Sequence, residues 1–138
     1  MIKKNPEERE LIKAWLNLAR ENLLSAKSLI NEEFYPFHTI CFMCQASGEK
    51  YLKAYLIWNG WELEKIHDLE ELLKFAIRFD PAFEKLREDC RLLNEYITEG
   101  RYPGDLPWEM IGVQQADEAI EAADNIEKFV SKRINLAD

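Results

Sequence analysis

Apolar residues recur along this chain at the 3.6-residue spacing of an α-helix, and capping signals divide them into separate segments. Asn5-Pro6 combines a helix N-cap with proline at the first helical position, and Asp80-Pro81 repeats that combination. Asp68 supplies a third N-cap signal. No segment shows sustained alternation of apolar and polar residues, so the sequence predicts helices and no β-sheet.

Five helices are expected, over about residues 6–30, 37–58, 69–79, 81–99 and 113–134. The positions at helical spacing in the first helix are Leu11, Trp15, Leu18, Asn22, Ala26 and Ile30. The second helix is apolar on most sides, which predicts a central position. Short connections favour antiparallel neighbours. The expected fold class is therefore all-α: a single domain over residues 1–138, forming an up-down antiparallel four-helix bundle with an additional short helix.

The apolar positions of the last three helices predict which sides face the core. They are Leu69, Leu72, Leu73 and Ala76 in the third helix, Phe83, Leu86, Cys90, Leu93 and Ile97 in the fourth, and Val113, Ala116, Ile120, Ala123 and either Ile126 or Phe129-Val130 in the fifth.

The composition of the chain limits the kinds of function that it can have. The chain has 138 residues, of which 47% are hydrophobic and 32% charged, as in ordinary globular proteins. A net charge of −8 argues against general nucleic-acid binding, which draws on clustered Lys and Arg. No apolar run approaches the roughly 18 residues that span a bilayer, and no secretory signal is recognisable, so we expect a cytoplasmic protein without membrane contact.

The cysteines and histidines do not predict a metal site. Cys41-x-x-Cys44 lies inside the second predicted helix, where both thiols read as buried small hydrophobes rather than as a redox pair. Together with His38 they fan over about 120° of that helix and cannot converge on one ion. Glu64-x-x-His67 supplies only half of a di-iron motif.

A polar stripe crosses the otherwise apolar second helix. Gln45, Glu49 and Lys53 are four residues apart and lie within about 80° of one another. One interpretation is a solvated face with a Glu49–Lys53 pair. The other is a partly buried stripe that lines a cleft or a dimer seam, in which Lys50 and Lys53 offer charges to a phosphate.

Two further positions carry polar chemistry. His67 precedes the Asp68 cap and is either a turn residue packed over the next helix or a donor or base beside a helix N-terminus, where free N–H groups favour an anion. Arg101-Tyr102-Pro103 lies in a Pro- and Gly-rich loop. It is either a rigid turn or a site where Arg101 contacts a phosphate and Tyr102 stacks on a base.

Three motifs occur in order: Q-A-x-x-E-K-x-x-K-A over residues 45–54, H-D-L-x-x-L over 67–72, and R-Y-P over 101–103. In this respect the chain resembles the HEPN domain family, whose fold is a four-helix bundle with an added short helix. That family usually has aspartate directly after the proline, whereas here Gly104 precedes Asp105.

The resemblance implies a function as well as a fold. Many HEPN proteins are ribonucleases with an Arg-x4–6-His motif, which is absent here because the nearest arginine before His67 is Arg20. The chain therefore resembles the non-nuclease branch: a homodimeric module that binds a nucleotide, with or without Mg²⁺, or a substrate, and accompanies a minimal nucleotidyltransferase in a toxin–antitoxin-like pair. No other cofactor is implied. The implied nucleotide-binding residues are Gln45, Glu49, Lys50, Lys53, His67, Arg101 and Tyr102.

Two alternatives stay open at this point. The chain is a ribonuclease if His67 and Arg101 meet in space and act as proton acceptor and charge stabiliser. It is a purely structural interaction protein if the polar stripe is buried between protomers with no room for a ligand.

Overall fold

The computed structural model describes residues 4–31, 33–97 and 110–136. These form five α-helices, two short 3₁₀ helices and no strand: α1 (Pro6–Ser28), α2 (Phe37–Trp58), α3 (Leu69–Phe79), α4 (Arg87–Asn94) and α5 (Val113–Ser131). One 3₁₀ helix, Leu29–Asn31, extends α1, and the other, Pro81–Leu86, precedes α4. The predicted all-α class with antiparallel packing is confirmed.

The predicted capping signals are used as expected. Asn5 accepts a hydrogen bond from the backbone N–H of Glu8 at 2.8 Å, and the Glu8 carboxylate accepts one from the Asn5 N–H, which completes a capping box. Asp80 accepts from the N–H of Ala82 at 2.9 Å. Each N-cap therefore fixes the residue at which a helix begins.

Helix α2 is the centre of the bundle. It packs against α1, α3, α4 and α5, and most of its side chains are buried whichever way they point. This confirms the central position predicted from its apolar character. Gly48 lies where α2 approaches three neighbours, because a Cβ there would come within 3.2 Å of Ile126 and Leu93 and 3.6 Å of Leu69.

The predicted fourth helix is divided in two. Residues 81–86 are a 3₁₀ helix and only residues 87–94 are α-helical. Arg133 holds the 3₁₀ helix against the end of α5: its Nε donates to Asp80 at 2.9 Å, and its guanidinium lies 3.5 Å from the centre of the Phe129 ring. The tighter winding still buries Phe83 and Leu86 as predicted.

The predicted stripe of α1 faces the core only in part, because Ala26 is buried as predicted but Leu11 and Leu18 are not. The buried residues are Ile12, Ala19, Leu23 and Ala26. Leu11 and Leu18 remain 49% and 50% exposed. The small side chains of Ala19 and Ala26 let α1 approach α2 closely, and Ser47 of α2 donates to the Ala19 carbonyl at 2.8 Å. Leu11 and Leu18 lie outside the contact between α1 and α2 and therefore stay exposed.

The core positions predicted for the later helices are mostly confirmed. Leu69, Leu72, Leu73, Ala76, Phe83, Leu86, Cys90, Leu93, Ala116, Ala123 and Ile126 are buried, while Ile97 and Ile120 are partly buried. Val113 is the exception, because it is 51% exposed at the first turn of α5. None of the helices over residues 4–31, 33–97 and 110–136 is long and apolar enough to cross a membrane.

Candidate functional site

The polar stripe of α2 is buried rather than solvated. Gln45 and Lys53 are each only 3% exposed, and the Glu49 side chain is 13% exposed. A buried polar group is costly unless it has hydrogen-bond partners, so the contacts of these three side chains decide what the stripe is for. The stripe is therefore partly buried and not solvated, although the Glu49–Lys53 pair of the first interpretation is present.

The Glu49 carboxylate is the point on which the other groups converge. Lys53 Nζ donates to Oε2 at 2.8 Å, and Gln45 Nε2 donates to Oε1 at 3.2 Å. His67 Nδ1 lies 3.1 Å from both carboxylate oxygens. Burial alone would raise the pKa of Glu49, but the hydrogen bonds from Lys53, His67 and Gln45 outweigh it and lower that pKa below its ordinary value. The carboxylate is thus held in its charged form. We call Gln45, Glu49, Lys53 and His67 the Glu49 cluster.

His67 reaches the cluster through the connection between α2 and α3. Its backbone carbonyl accepts a hydrogen bond from Gln45 Nε2 at 3.2 Å, which fixes the chain beside α2. The side chain is 65% exposed, and only Nδ1 is directed at Glu49. Within the part of the chain that the structure describes, Nε2 makes no hydrogen bond. His67 is therefore the member of the cluster that a ligand can reach.

Lys53 points into the protein instead. Its Nζ is bound to Glu49 and lies 5.8 Å from the centre of the Trp15 ring on α1, which covers it. Lys50 also reaches α1 but has another partner: its Nζ donates to Asn22 at 2.6 Å, and burial lowers its pKa. The two lysines that the sequence placed near a phosphate are thus bound to different partners within the protein.

The N-terminus of α3 is already capped by the protein itself. Asp68 Oδ1 accepts from the N–H groups of Glu70 and Glu71, at 2.9 and 3.2 Å. Asn94 at the end of α4 completes the cap: its Oδ1 accepts from the Leu69 N–H at 2.8 Å and its Nδ2 donates to Asp68 at 2.9 Å. Free backbone N–H groups for an anion, expected beside His67, are therefore not available there. Sequence reasoning missed Asn94 because nothing local relates it to a helix that begins 25 residues earlier.

A shallow hollow of about 330 Å³ begins at Asp68, the residue next to His67. It runs along the outer side of α3 and is lined by Asp68, Glu70, Glu71, Lys74, Phe75 and Arg78. Lys74 and Arg78 are exposed cations four residues apart. The sequence pattern gave no reason to single them out, because charged residues on the outer side of a helix are ordinary.

Two of the predicted site residues are not placed. Arg101 and Tyr102, with the rest of the R-Y-P motif, lie outside the described residues. The structure therefore brings together Gln45, Glu49, Lys53 and His67, while Lys50 binds Asn22 instead.

The thiols and carboxylates do not assemble a metal site in the described ranges. No group of three or more His, Cys, Asp or Glu side chains there could hold an ion. Burial raises the pKa of Cys41 to about 11 and that of Cys90 to about 12, and it raises the pKa of Cys44 as well. Thiols held in the neutral form are poor nucleophiles and poor ligands, in keeping with their interpretation as buried small hydrophobes.

Comparison with known proteins agrees with this architecture. The crystal structure of TT1696 from Thermus thermophilus superimposes with a TM-score of 0.75 and 25% sequence identity, over 89% of this chain and 98% of that one. The crystal structure of ST0689, described as an archaeal HEPN homologue, gives a TM-score of 0.71 and 24% identity, over 90% of this chain and 98% of that one. No curated protein matches the sequence significantly.

The family assignment rests on the sequence as well as on the fold. The model of the HEPN domain matches residues 12–134, which include all five helices except the first residues of α1. The matched range contains the whole Glu49 cluster and the three motifs from which the resemblance was recognised. The chain belongs to the HEPN domain family.

Proposed function

We propose that this protein is a homodimeric nucleotide- or substrate-binding module of the non-nuclease branch, and that it works in the cytoplasm beside a minimal nucleotidyltransferase as a toxin–antitoxin-like pair. The observation that carries the proposal is the Glu49 cluster. Two buried polar side chains and one exposed histidine converge on the Glu49 carboxylate of a central helix, which is more organisation than a bundle needs for its stability.

The surroundings of His67 suit a small polar ligand better than a polymer. The hollow beside it offers Lys74 and Arg78 for phosphate groups and the Phe75 ring for a flat group, all within one turn of α3. Acidic side chains on the same hollow and the net charge of −8 disfavour a long polyanion. A nucleotide carrying Mg²⁺ meets these charges more easily, because the ion offsets part of the phosphate charge.

The outer side of α1 supports the dimer. Leu11 and Leu18 are two turns apart on one side of the helix, and both are half exposed. Apolar side chains aligned on an outer helix face are typical of a protein interface. A partner chain, whether a second copy or a nucleotidyltransferase, would cover them.

Calorimetric titration with ATP and GTP in the presence of Mg²⁺ tests the binding function. We expect micromolar affinity that falls at least about tenfold, or about 1.4 kcal/mol, in His67→Ala and in Arg78→Ala. Lys128→Ala, which removes an exposed cation from α5, is the control and should bind as the wild type does. If neither nucleotide binds at high protein concentration, the nucleotide-binding function is wrong, and the ribonuclease and the purely structural interaction protein are the alternatives left.

A ribonuclease remains the second candidate, and the contact between His67 and Glu49 favours it. A carboxylate that holds a histidine ring by Nδ1 is an arrangement used for general acid–base catalysis. Cleavage of RNA by the wild type, lost in His67→Ala and in Arg101→Ala, would establish the enzyme. Intact RNA after incubation with the wild type would exclude it.

A further inference from the structure

The geometry of the Glu49 cluster defines where the proton of His67 must lie. Both oxygens of the carboxylate are 3.1 Å from Nδ1. An ionised carboxylate only accepts hydrogen bonds, so Nδ1 must be the donor. A neutral imidazole has one N–H, and placing it on Nδ1 leaves Nε2 with its lone pair.

The carboxylate is held in place from inside the protein. Lys53 and Gln45 donate to its two oxygens, and the Lys53 ammonium is itself buried, with the Trp15 ring 5.8 Å away. Gln45 also binds the His67 backbone, so the same side chain fixes both partners of the contact. The ring is therefore oriented by a preformed and buried arrangement rather than by a chance encounter on the surface.

We infer that Glu49 is a positioning residue that fixes His67 in the Nδ1–H tautomer and presents Nε2 to the ligand as a hydrogen-bond acceptor. The group that meets Nε2 of the neutral ring is then a hydrogen-bond donor, either an O–H or N–H group or a water molecule, and not a phosphate oxygen, because a phosphate oxygen and Nε2 are both acceptors. If the ligand is the nucleotide of the proposed function, the donor is a ribose hydroxyl. This part of the inference rests on the proposed function. The phosphates lie further along α3.

The ionisable groups that surround the ring are few. Glu49 faces it from α2 with Lys53 on the far side of the carboxylate, and Asp68 follows it at the start of α3 with Oδ1 committed to the α3 cap. Of the contacts in the described residues, only that with Glu49 reaches the ring itself. The tautomer therefore depends on Glu49 alone.

Nuclear magnetic resonance of the unliganded protein tests the tautomer directly. The chain has only two histidines, so long-range ¹H–¹⁵N spectra give two ring patterns, and His67→Gln identifies the one that belongs to His67. In a buffer alkaline enough to keep the ring neutral, we expect Nδ1 to show the shift of a protonated nitrogen and Nε2 that of an unprotonated one. An averaged pattern, or a proton on Nε2, in the wild type would overturn the inference.

The double variant Glu49→Leu/Lys53→Met is the matched comparison. It replaces the buried ion pair by apolar residues of similar volume, which proteins often tolerate. We expect its His67 signals to move to the averaged values of an exposed histidine while helix content is retained. Unchanged signals would show that Glu49 does not position the ring. If this variant does not fold, the wild-type spectrum still decides.

The ligand step is tested with ATP and 2′,3′-dideoxy-ATP. We expect the wild type to bind the dideoxy nucleotide at least about tenfold more weakly than ATP, and His67→Ala to bind the two nucleotides equally. Equal affinity of the wild type for both would overturn the ribose contact. If ATP itself does not bind, the proposed nucleotide-binding function is wrong. The assignment of the tautomer is tested separately by the NMR spectrum of the unliganded protein.

Discussion

The charge of Lys53 lies where water hardly reaches it, and this changes what its substitution does. From the sequence, Lys53 is a candidate phosphate contact, whose loss would weaken binding and leave stability unchanged. In the structure its Nζ is buried against Glu49 and Trp15. Its main role is to balance the negative charge of Glu49. Lys53 therefore affects a ligand only indirectly, through the position of His67.

We expect Lys53→Ala to lower the free energy of unfolding by about 3 kcal/mol, because it leaves the buried Glu49 charge without its partner. Lys13→Ala is the control, since Lys13 forms a similar pair with Glu10 on the exposed side of α1. That change should cost less than about 1 kcal/mol. Urea denaturation measures both, and equal small losses would contradict the structural role of Lys53.

Glu49 should also make stability depend on pH. Its pKa in the folded protein is below the ordinary value of 4.5, so its contribution is fully present above that value and is lost as the pH falls through the folded pKa. We expect the wild type to exceed Glu49→Gln in stability at about pH 7 and the difference to shrink below pH 4.5. Denaturation curves recorded from neutral to acidic pH measure it. A difference that grows on acidification would reverse the sign and refute the assignment.

At the scale of elements, α2 determines how closely the bundle packs. Three helices meet it at Gly48, where the atoms that a Cβ would approach belong to fully buried Leu and Ile side chains. These side chains can move little to accommodate an added methyl group, because they are themselves closely packed.

We expect Gly48→Ala to destabilise the protein by about 1 kcal/mol, since overpacking exceeds the gain in helix propensity. Adding Ile126→Val removes the methyl group that lies 3.2 Å from the new Cβ. The double variant should therefore lose less than the sum of the single changes. Thermal or urea unfolding of the wild type, the two single variants and the double variant gives the coupling energy between the two positions. If the two losses simply add, the contact between the new Cβ and Ile126 does not cause the destabilisation.

At the scale of the whole molecule, the exposed leucines of α1 determine which side is available to a partner. Leu11 and Leu18 share one side, whereas Leu24, equally exposed, lies about 120° around the helix from Leu18. The chain therefore contains its own control for an interface on this helix.

We expect light scattering to show a dimer for the wild type and a monomer for Leu11→Glu/Leu18→Glu, with unchanged helix content. A charge placed in the middle of an apolar contact is strongly unfavourable when the contact forms. Leu24→Glu should remain dimeric. A wild type that is monomeric at micromolar concentration would refute the dimer, and a monomeric Leu24→Glu would place the interface elsewhere.

The sequence by itself determined where helices begin and what the inner sides of α3 and α4 contain. Caps such as Asn5 and Asp80 act within three residues of themselves, and periodicity is a local property, so both can be read along the chain. The polar stripe on α2 was visible for the same reason.

Only the tertiary structure decided which side of α1 is buried and what the stripe contacts. Two apolar sides of α1 were available, and close approach at Ala19 selected the one with small residues, leaving Leu11 and Leu18 outside. His67 meets Glu49 across 18 residues and Asn94 caps α3 across 25, at positions that depend on how the helices pack. Contacts of this kind depend on how the helices pack together and not on the spacing of residues in the sequence. The sequence therefore showed the members of the candidate site, and only the packed bundle showed that they form one cluster with an exposed histidine.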